Sequence, residues 1–190
     1  MSRPVYIVDI MGEVVTAAKA EVLATLQANE AEALGRTTIE TVNYQKGHKI
    51  ELIQTLIEMD RANSFQTKKY PLVYLVQDFV EKRGRKAGEY AELNLNIILA
   101  HHTESTRKVD DRYTKVFKPV LYPLYYALLR QIALHPLIFQ SNEDDIQHDK
   151  IDRLFWGTQA AGGNDRNKLT DFVDAIEITN MNLKFYFKNC

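Results

Sequence analysis

The sequence predicts an α+β fold: a mixed or antiparallel sheet of about four to five strands, with helices packed on one face and a long kinked helix at about 111–134. Three observations predict it. Near the N-terminus, Val14, Ala18, Val22 and Leu26 recur every four residues, the spacing of an amphipathic helix. The stretch "AELNLNIIL" (91–99) alternates instead: Ala91, Leu93, Leu95, Ile97 and Leu99 fall on one face, and Glu92, Asn94 and Asn96 on the other. Helical spacing then returns in Tyr113, Val116, Phe117, Val120, Leu121, Leu124, Leu128 and Ile132.

Taken in order, residues 5 to about 34 read as the first helix, with a short strand at Val5–Val8 as the alternative. Val15 and Leu23 fill its stripe, and Gly35 supplies the stop. "TTIETVNY" (37–44) is rich in β-branched residues and reads as a short strand ending at Gly47. "HKIELIQTLIEMD" (48–60) sets Ile50, Ile53, Leu56 and Ile57 on one helical face, broadened by Leu52. After Pro71, "LVYLVQDFV" (72–80) is a dense β-forming run with weak alternation, as in a strand buried on both faces.

The connection "EKRGRKAGEY" (81–90) has four basic residues, Lys82, Arg83, Arg85 and Lys86, and two glycines, more length and charge than a hairpin needs. Beyond the half-exposed strand, residues 101–112 form a connection in which Asp110 or Asp111 suits a helix N-cap. Pro119 and Pro123 cannot donate intrahelical hydrogen bonds, so the long helix is expected to kink or restart near them. It ends near Leu134, before His135-Pro136.

A polar insertion at about 140–168 follows, acidic at 140–153 and loop-like at 157–168, with "LFW" between as an anchor or short strand. The last element is a C-terminal strand or hairpin at 171–188. Ile176 and Ile178 fall on even positions, whereas Met181, Leu183, Phe185 and Phe187 fall on odd ones. That change of phase requires a bulge or tight turn at Thr179-Asn180. The whole chain, 1–190, reads as one domain.

Composition narrows the function. The 190 residues are 45% hydrophobic and 26% charged, the mixture of a soluble globular protein. Lys+Arg 24 against Asp+Glu 25 leaves a formal charge of -1, so no global basic field exists for nucleic acid. The single cysteine, Cys190, excludes a disulfide framework and a multi-Cys zinc site. Asp9 and Glu13 interrupt the apolar residues too early for a signal peptide, and no apolar run approaches membrane-spanning length. The expectation is an intracellularly made, soluble protein.

No catalytic constellation emerges, and no cofactor is expected. His101 and His102 are neighbours on a strand, so their side chains point to opposite faces and cannot chelate one ion together. Either could pair with Glu104, Asp110 or Asp111, but the arrangement reads best as a polar rim. Glu143, Asp144, Asp145, His148, Asp149 and Asp152 are rich in oxygen ligands but lack the glycine that sharpens a calcium loop. They read as a solvated acidic segment. There is no Gly-x-Ser-x-Gly elbow, and "AAGGND" lacks both the P-loop lysine and the third glycine of a dinucleotide turn. A metal-dependent nuclease or hydrolase, drawing on His101, His102, Asp110 or the 143–152 acids, is the alternative. A small non-catalytic adaptor is a third reading. Tyr122 and Tyr126 share a face offset from the main stripe of the long helix and suit a subunit interface.

The order and phrasing of "KKYPLVYLVQDFVEKRG", "AELNLNIILAHHT", "DRYTKVFKPVLYPLYYALLRQI" and "DFVDAIEITNMNLKFYF" give the chain a wider likeness. It resembles the small neck and tail-completion proteins of tailed bacteriophages, the tail-terminator group in particular, in a version typical of phages and prophages of gut Bacteroidetes. The resemblance spans roughly 10 to 135 and 171 to 188. It implies a non-catalytic virion protein forming a homo-oligomeric ring at the head–tail junction, assembled in the host cytoplasm. Its partners would be the portal or neck adaptor and tail-tube proteins, with DNA only passing through the lumen and no membrane involved. Carried onto this sequence, Lys82, Arg83, Arg85 and Lys86 would form the lumen- or partner-facing loop. Tyr122, Tyr126, Trp156, Ile178, Leu183, Phe185 and Phe187 are the candidates for subunit contact.

Overall fold

The computed structural model describes residues 6–61, 69–83, 90–139, 143–156 and 172–186. Helix α1 (Ile7–Leu34) leads into strand β1 (Asn43–Gly47) and helix α2 (Lys49–Arg61). Strands β2 (Leu72–Val76), β3 (Glu81–Arg83) and β4 (Tyr90–Thr103) follow. A continuous helical run then passes through α3 (Val109–Arg112), a π-helical stretch (Tyr113–Leu121) and α4 (Tyr122–Leu134). Strands β5 (Asp149–Arg153) and β6 (Phe172–Tyr186) complete a 6-stranded sheet. Its order is β1-β2-β4-β6-β5, with β3 paired to β4 off this path. Among the described strands only β1–β2 is parallel, so the sheet is mixed.

The expected α+β class is therefore the observed one. The two long helical runs cover one sheet face, as expected. Their stripes, Val14, Ala18, Val22 and Leu26 from α1 and Val116, Val120, Leu124 and Leu128 from the later run, pack on Val73, Leu75, Leu95, Leu99 and Ile176. The short helix α2 departs from one-sided packing. Its Leu52 and Leu56 lie on the opposite face with Leu72, Tyr74, Val76, Ile98 and Ala100. Strand β2, buried at every position, thus feeds both cores. Within α2 the apolar face is rotated from the expected one: Ile50 stays exposed, while Leu52 is buried.

Two local features depart from the expected elements, each for a physical reason. The β-branched residues 37–42 form no strand; Thr37, Thr38 and Ile39 direct hydrogen bonds to the Glu30 carboxylate instead, and β1 begins only at Asn43. The acidic part of the insertion is not all loop, because Asp149–Arg153 adds to the sheet edge beside β6. Gly35 closes α1 in the left-handed conformation, with φ 72°, as expected of a helix-stopping glycine.

Pro119 and Pro123 shape the long helical run without breaking it. Tyr122 N–H donates to the Phe117 carbonyl, five residues back, so the turn around Pro119 is widened. Pro123 sits in the first turn of α4, where a missing N–H costs little. An α-helical bond to the Pro119 carbonyl would come from residue 123, which has no N–H. Asn29 of α1 donates to that carbonyl instead, at 3.3 Å.

The phase change in the last strand is a β-bulge. Ile97 pairs with Ile178 and Leu95 with Met181, leaving Thr179 and Asn180 opposite Asn96 alone. Asn180 has φ 56°, a conformation asparagine tolerates better than most residues. Its N–H donates to the Asn96 side chain at 3.2 Å, and its own amide donates to Asp149 at 2.7 Å.

Candidate interaction surface

Strands β4 and β6 run side by side past the ends of β2 and β5, where β3 and residues 137–139 flank them instead. In the part of the ribbon nearest α3, β2 and β5 flank the two strands, and residues 97–101 and 173–178 are buried on both faces. Beyond the bulge, residues 90–95 and 181–186 form an arm with one covered and one open face. Ala91, Leu93, Leu95, Met181, Leu183 and Phe185 are buried beneath the long helices. Glu92, Asn94, Asn182 and Lys184 are exposed on the reverse.

The open face of the arm is organised in rows across the strands. Lys184 Nζ lies 2.9 Å from Glu92, and Lys82 of β3 stands opposite Glu92 in register. The hydrogen bond that Lys184 donates to Glu92 pushes its ammonium to a higher pKa. Asn94 donates to Asn182 at 3.4 Å. At the tip Tyr90 pairs with Tyr186, whose ring meets the Phe139 ring edge-on at 6.1 Å. Phe139 is 63% exposed, and its N–H donates to the Lys184 carbonyl at 2.7 Å. Exposed aromatic rings, a residue type enriched in protein interfaces, thus stand beside a row of charges and amides.

The residues singled out in the sequence distribute unevenly over this geometry. Lys82 and Arg83 belong to β3 beside the arm, whereas Arg85, Lys86 and Phe187 lie outside the described residues. Tyr126 is 56% exposed, as a contact residue must be. Tyr122 is half-buried, and its hydroxyl donates to Asp152 at 2.6 Å. Burial and that carboxylate raise its pKa strongly. Trp156, Ile178, Leu183 and Phe185 have to be withdrawn as contact residues, because all four are buried inside this chain. Strand β6 runs between β4 and β5, and its apolar residues meet the chain's own helices. Trp156 anchors the turn after β5 by donating its indole N–H to Glu177 at 2.8 Å.

The acids and histidines are used internally. His101 and His102 do point to opposite faces, but His101 meets none of the acids near it in sequence. Its Nε2 lies 3.2 Å from Glu30 of α1, both groups buried. Burial opposes the Glu30 charge, yet the His101 bond, the Thr38 N–H, the His101 charge and Thr37 together hold its carboxyl at about 2. Neither Asp110 nor Asp111 caps the helix. Lys108 occupies the N-cap without a side-chain bond, and both acids lie in the first turn, where the helix dipole favours them. Asp111 pairs with Lys115 at 3.2 Å.

Three buried polar nodes hold the closed part of the sheet together. Arg112, fully buried, reaches Asp174 at 2.5 Å and donates to the Arg107 carbonyl, with its guanidinium 3.4 Å from the Phe155 ring centre. Glu30 with His101 is the second. In the third, Glu177 accepts from Lys49, Arg153 and Trp156, and despite its burial these bonds lower its pKa. Among the described residues, no three His, Cys, Asp or Glu side chains gather closely enough to hold a metal ion. Sequence reasoning passed over Glu30 and Arg112, yet a signal was present. Glu30 continues the series Val14, Ala18, Val22, Leu26, and Arg112 heads the series Val116, Val120, Leu124, Leu128. A charged residue on an apolar stripe is buried with a partner.

No protein-family model matches this chain, and neither a curated protein nor a solved structure does. Among the described residues, no helix is long and apolar enough to cross a membrane. The structure thus combines interior ion pairs that tie the sheet with an arm whose outer face is exposed.

Proposed function

We propose that this chain is a virion structural protein, a ring-forming head–tail connector or tail-terminator subunit. The ring would join the portal or neck to the tail-tube proteins, and DNA would pass through its lumen. The observation that carries this reading is the arm: a ribbon backed by the core, with Lys82, Glu92, Asn94, Asn182, Lys184, Tyr90 and Phe139 turned outward. It adds to the likeness of the element order to tail-completion proteins. A subunit that works by shape needs a rigid sheet carrying an exposed face, and the buried ion pairs supply that rigidity. In such a ring the basic segment of Lys82, Arg83, Arg85 and Lys86 would face either the lumen, near passing phosphates, or an acidic partner.

Native mass spectrometry of the purified full-length chain at micromolar concentration, with negative-stain imaging, tests the proposal. A single closed species of fixed copy number with a central opening is expected. A strictly monomeric chain that also fails to bind neck and tail-tube proteins from the same genome would overturn it.

A further inference from the structure

The two ends of the sheet bear on how copies would join; the inference rests on the ring reading above. Strand order places β1 at one edge and β5 at the other, five residues each. On β1, Asn43 N–H donates to Pro71 at 2.9 Å and the Gly47 carbonyl accepts from Gln77 at 2.9 Å. These two residues turn their peptide groups inward to β2, so the alternate residues Tyr44 and Lys46 turn theirs outward. On β5, Trp156 N–H donates to the Val173 carbonyl at 2.7 Å, which sets Val173, Ala175 and Glu177 facing β5. Their register partners Ile151 and Arg153 face inward, and Lys150 and Asp152 turn outward. Among the described residues, no strand pairs with either outer edge.

The side chains of the outward-turned residues share one face of the sheet. The Tyr44 hydroxyl donates to the Val8 carbonyl of α1 at 3.1 Å, and Lys46 lines a groove with Asp9, Gly12 and Glu13. Lys150 lies 4.6 Å from the Tyr122 ring centre, and Asp152 accepts from Tyr122. All four therefore lie on the side of the long helices. Chain direction agrees as well. β1 is parallel to β2, and three antiparallel steps from β2 through β4 and β6 leave β5 antiparallel to β1.

We propose that β1 of one copy pairs with β5 of the next in antiparallel fashion, continuing the sheet from subunit to subunit. A second copy in the same orientation as the first meets it with opposed strands, matching pleats and both helical layers on the same side. Directly opposite residues in hydrogen-bonded pairs share a face, so these conditions must all hold together. Charge favours the junction too: Lys46 stands opposite Asp152 in one of the allowed registers, and the exposed acids Asp9 and Glu13 flank the edge that would receive Lys150. β3 is different, being a three-residue strand reading Glu-Lys-Arg, short and charged as protected edges are. The contact is head-to-tail, and it closes into a ring when the rotation between copies divides a full turn.

Proline at an outward position blocks edge pairing while sparing the inner ladder. Lys46→Pro and Lys150→Pro, each confirmed folded by circular dichroism, should both be monomeric by native mass spectrometry where the wild type is a ring. Mixed one to one, they retain one intact β1 and one intact β5 between them, so heterodimers and nothing larger should form. A short bis-maleimide should also link Lys46→Cys copies to Asp152→Cys copies in a Cys190→Ser background. Either proline variant assembling to the wild-type mass, a folded mixture that stays monomeric, or cysteine copies that do not cross-link would overturn the junction and leave the ring reading standing. A monomeric wild type would instead overturn the ring reading itself.

Discussion

The same two strands, β4 and β6, behave differently on either side of the bulge at Thr179-Asn180. Residues 97–101 and 173–178 are buried without interruption, and the acids among them, Asp174 and Glu177, are matched to Arg112, Lys49 and Arg153. Residues 90–95 and 181–186 alternate between buried and exposed, and their ion pair, Glu92 with Lys184, stands in solvent. In the closed half, charge is tied to stability, because the carboxylates of Asp174 and Glu177 have lost their water. In the open half, charge costs little and remains available for contact. The bulge separates the two regimes and turns the apolar set of β6 back onto the helices after the extra residue.

The largest expected effect breaks the closed half. Asp174→Ala strands the fully buried Arg112 guanidinium and should destabilise the fold by about 3–5 kcal/mol, read as a shift in the urea midpoint at constant slope. Replacing both partners, Arg112→Met with Asp174→Leu, should recover most of that loss. Retention of wild-type stability by the single variant would dissolve the contrast between the two halves.

Next comes a pH dependence located in the closed half. The Glu30 carboxyl titrates at about 2 in the folded chain, against 4.5 for an ordinary glutamate. Its contribution is therefore complete above about pH 4.5 and is lost as pH falls from there towards 2, to a total of about 3 kcal/mol. The difference in unfolding free energy between wild type and Glu30→Gln should shrink steadily over that interval. A difference that does not vary with pH would remove Glu30 from the group of stabilising ions.

A smaller effect tests the divider. Asn180 is held at positive φ, so Asn180→Val should cost about 1–2 kcal/mol, and Asn180→Gly should stay within about 0.5 kcal/mol of wild type. Thermal melts measure both. The smallest effect belongs to the arm: Glu92→Ala should leave the melting midpoint unchanged at both low and high salt, because the pair it breaks is exposed. If assembly weakens while stability holds, the arm is a contact surface rather than a brace.

Much of the fold was legible because it follows from periodicity. The α1 stripe, the alternation of 91–99 and the phase change before Met181 each fixed an element and its buried face, and the bulge lies where that phase change required it. What periodicity could not supply was the identity of the covering partner. Leu183 and Phe185 had the look of contact residues, and the chain's own helices cover them. Residues 37–42 had strand composition, but the Glu30 carboxylate drew their hydrogen bonds away from any sheet. Asp149–Arg153 read as solvated, and only the open edge of β6 made it a strand. The contact surface was half legible: the exposed row of Glu92 and Asn94 follows from alternation, whereas Lys184, Phe139 and Tyr186 join it through pairings distant in sequence.

By itself, the sequence determined which residues must leave water and with what period, since burial of apolar area is read directly from spacing. It also marked Glu30 and Arg112 as ions bound for the interior, by setting them on apolar stripes. The tertiary structure alone decided their partners, His101 and Asp174, which lie 71 and 62 residues away in the chain. It also decided which sheet edges stay open, because strand order comes from long-range pairing and leaves no periodic trace in the chain.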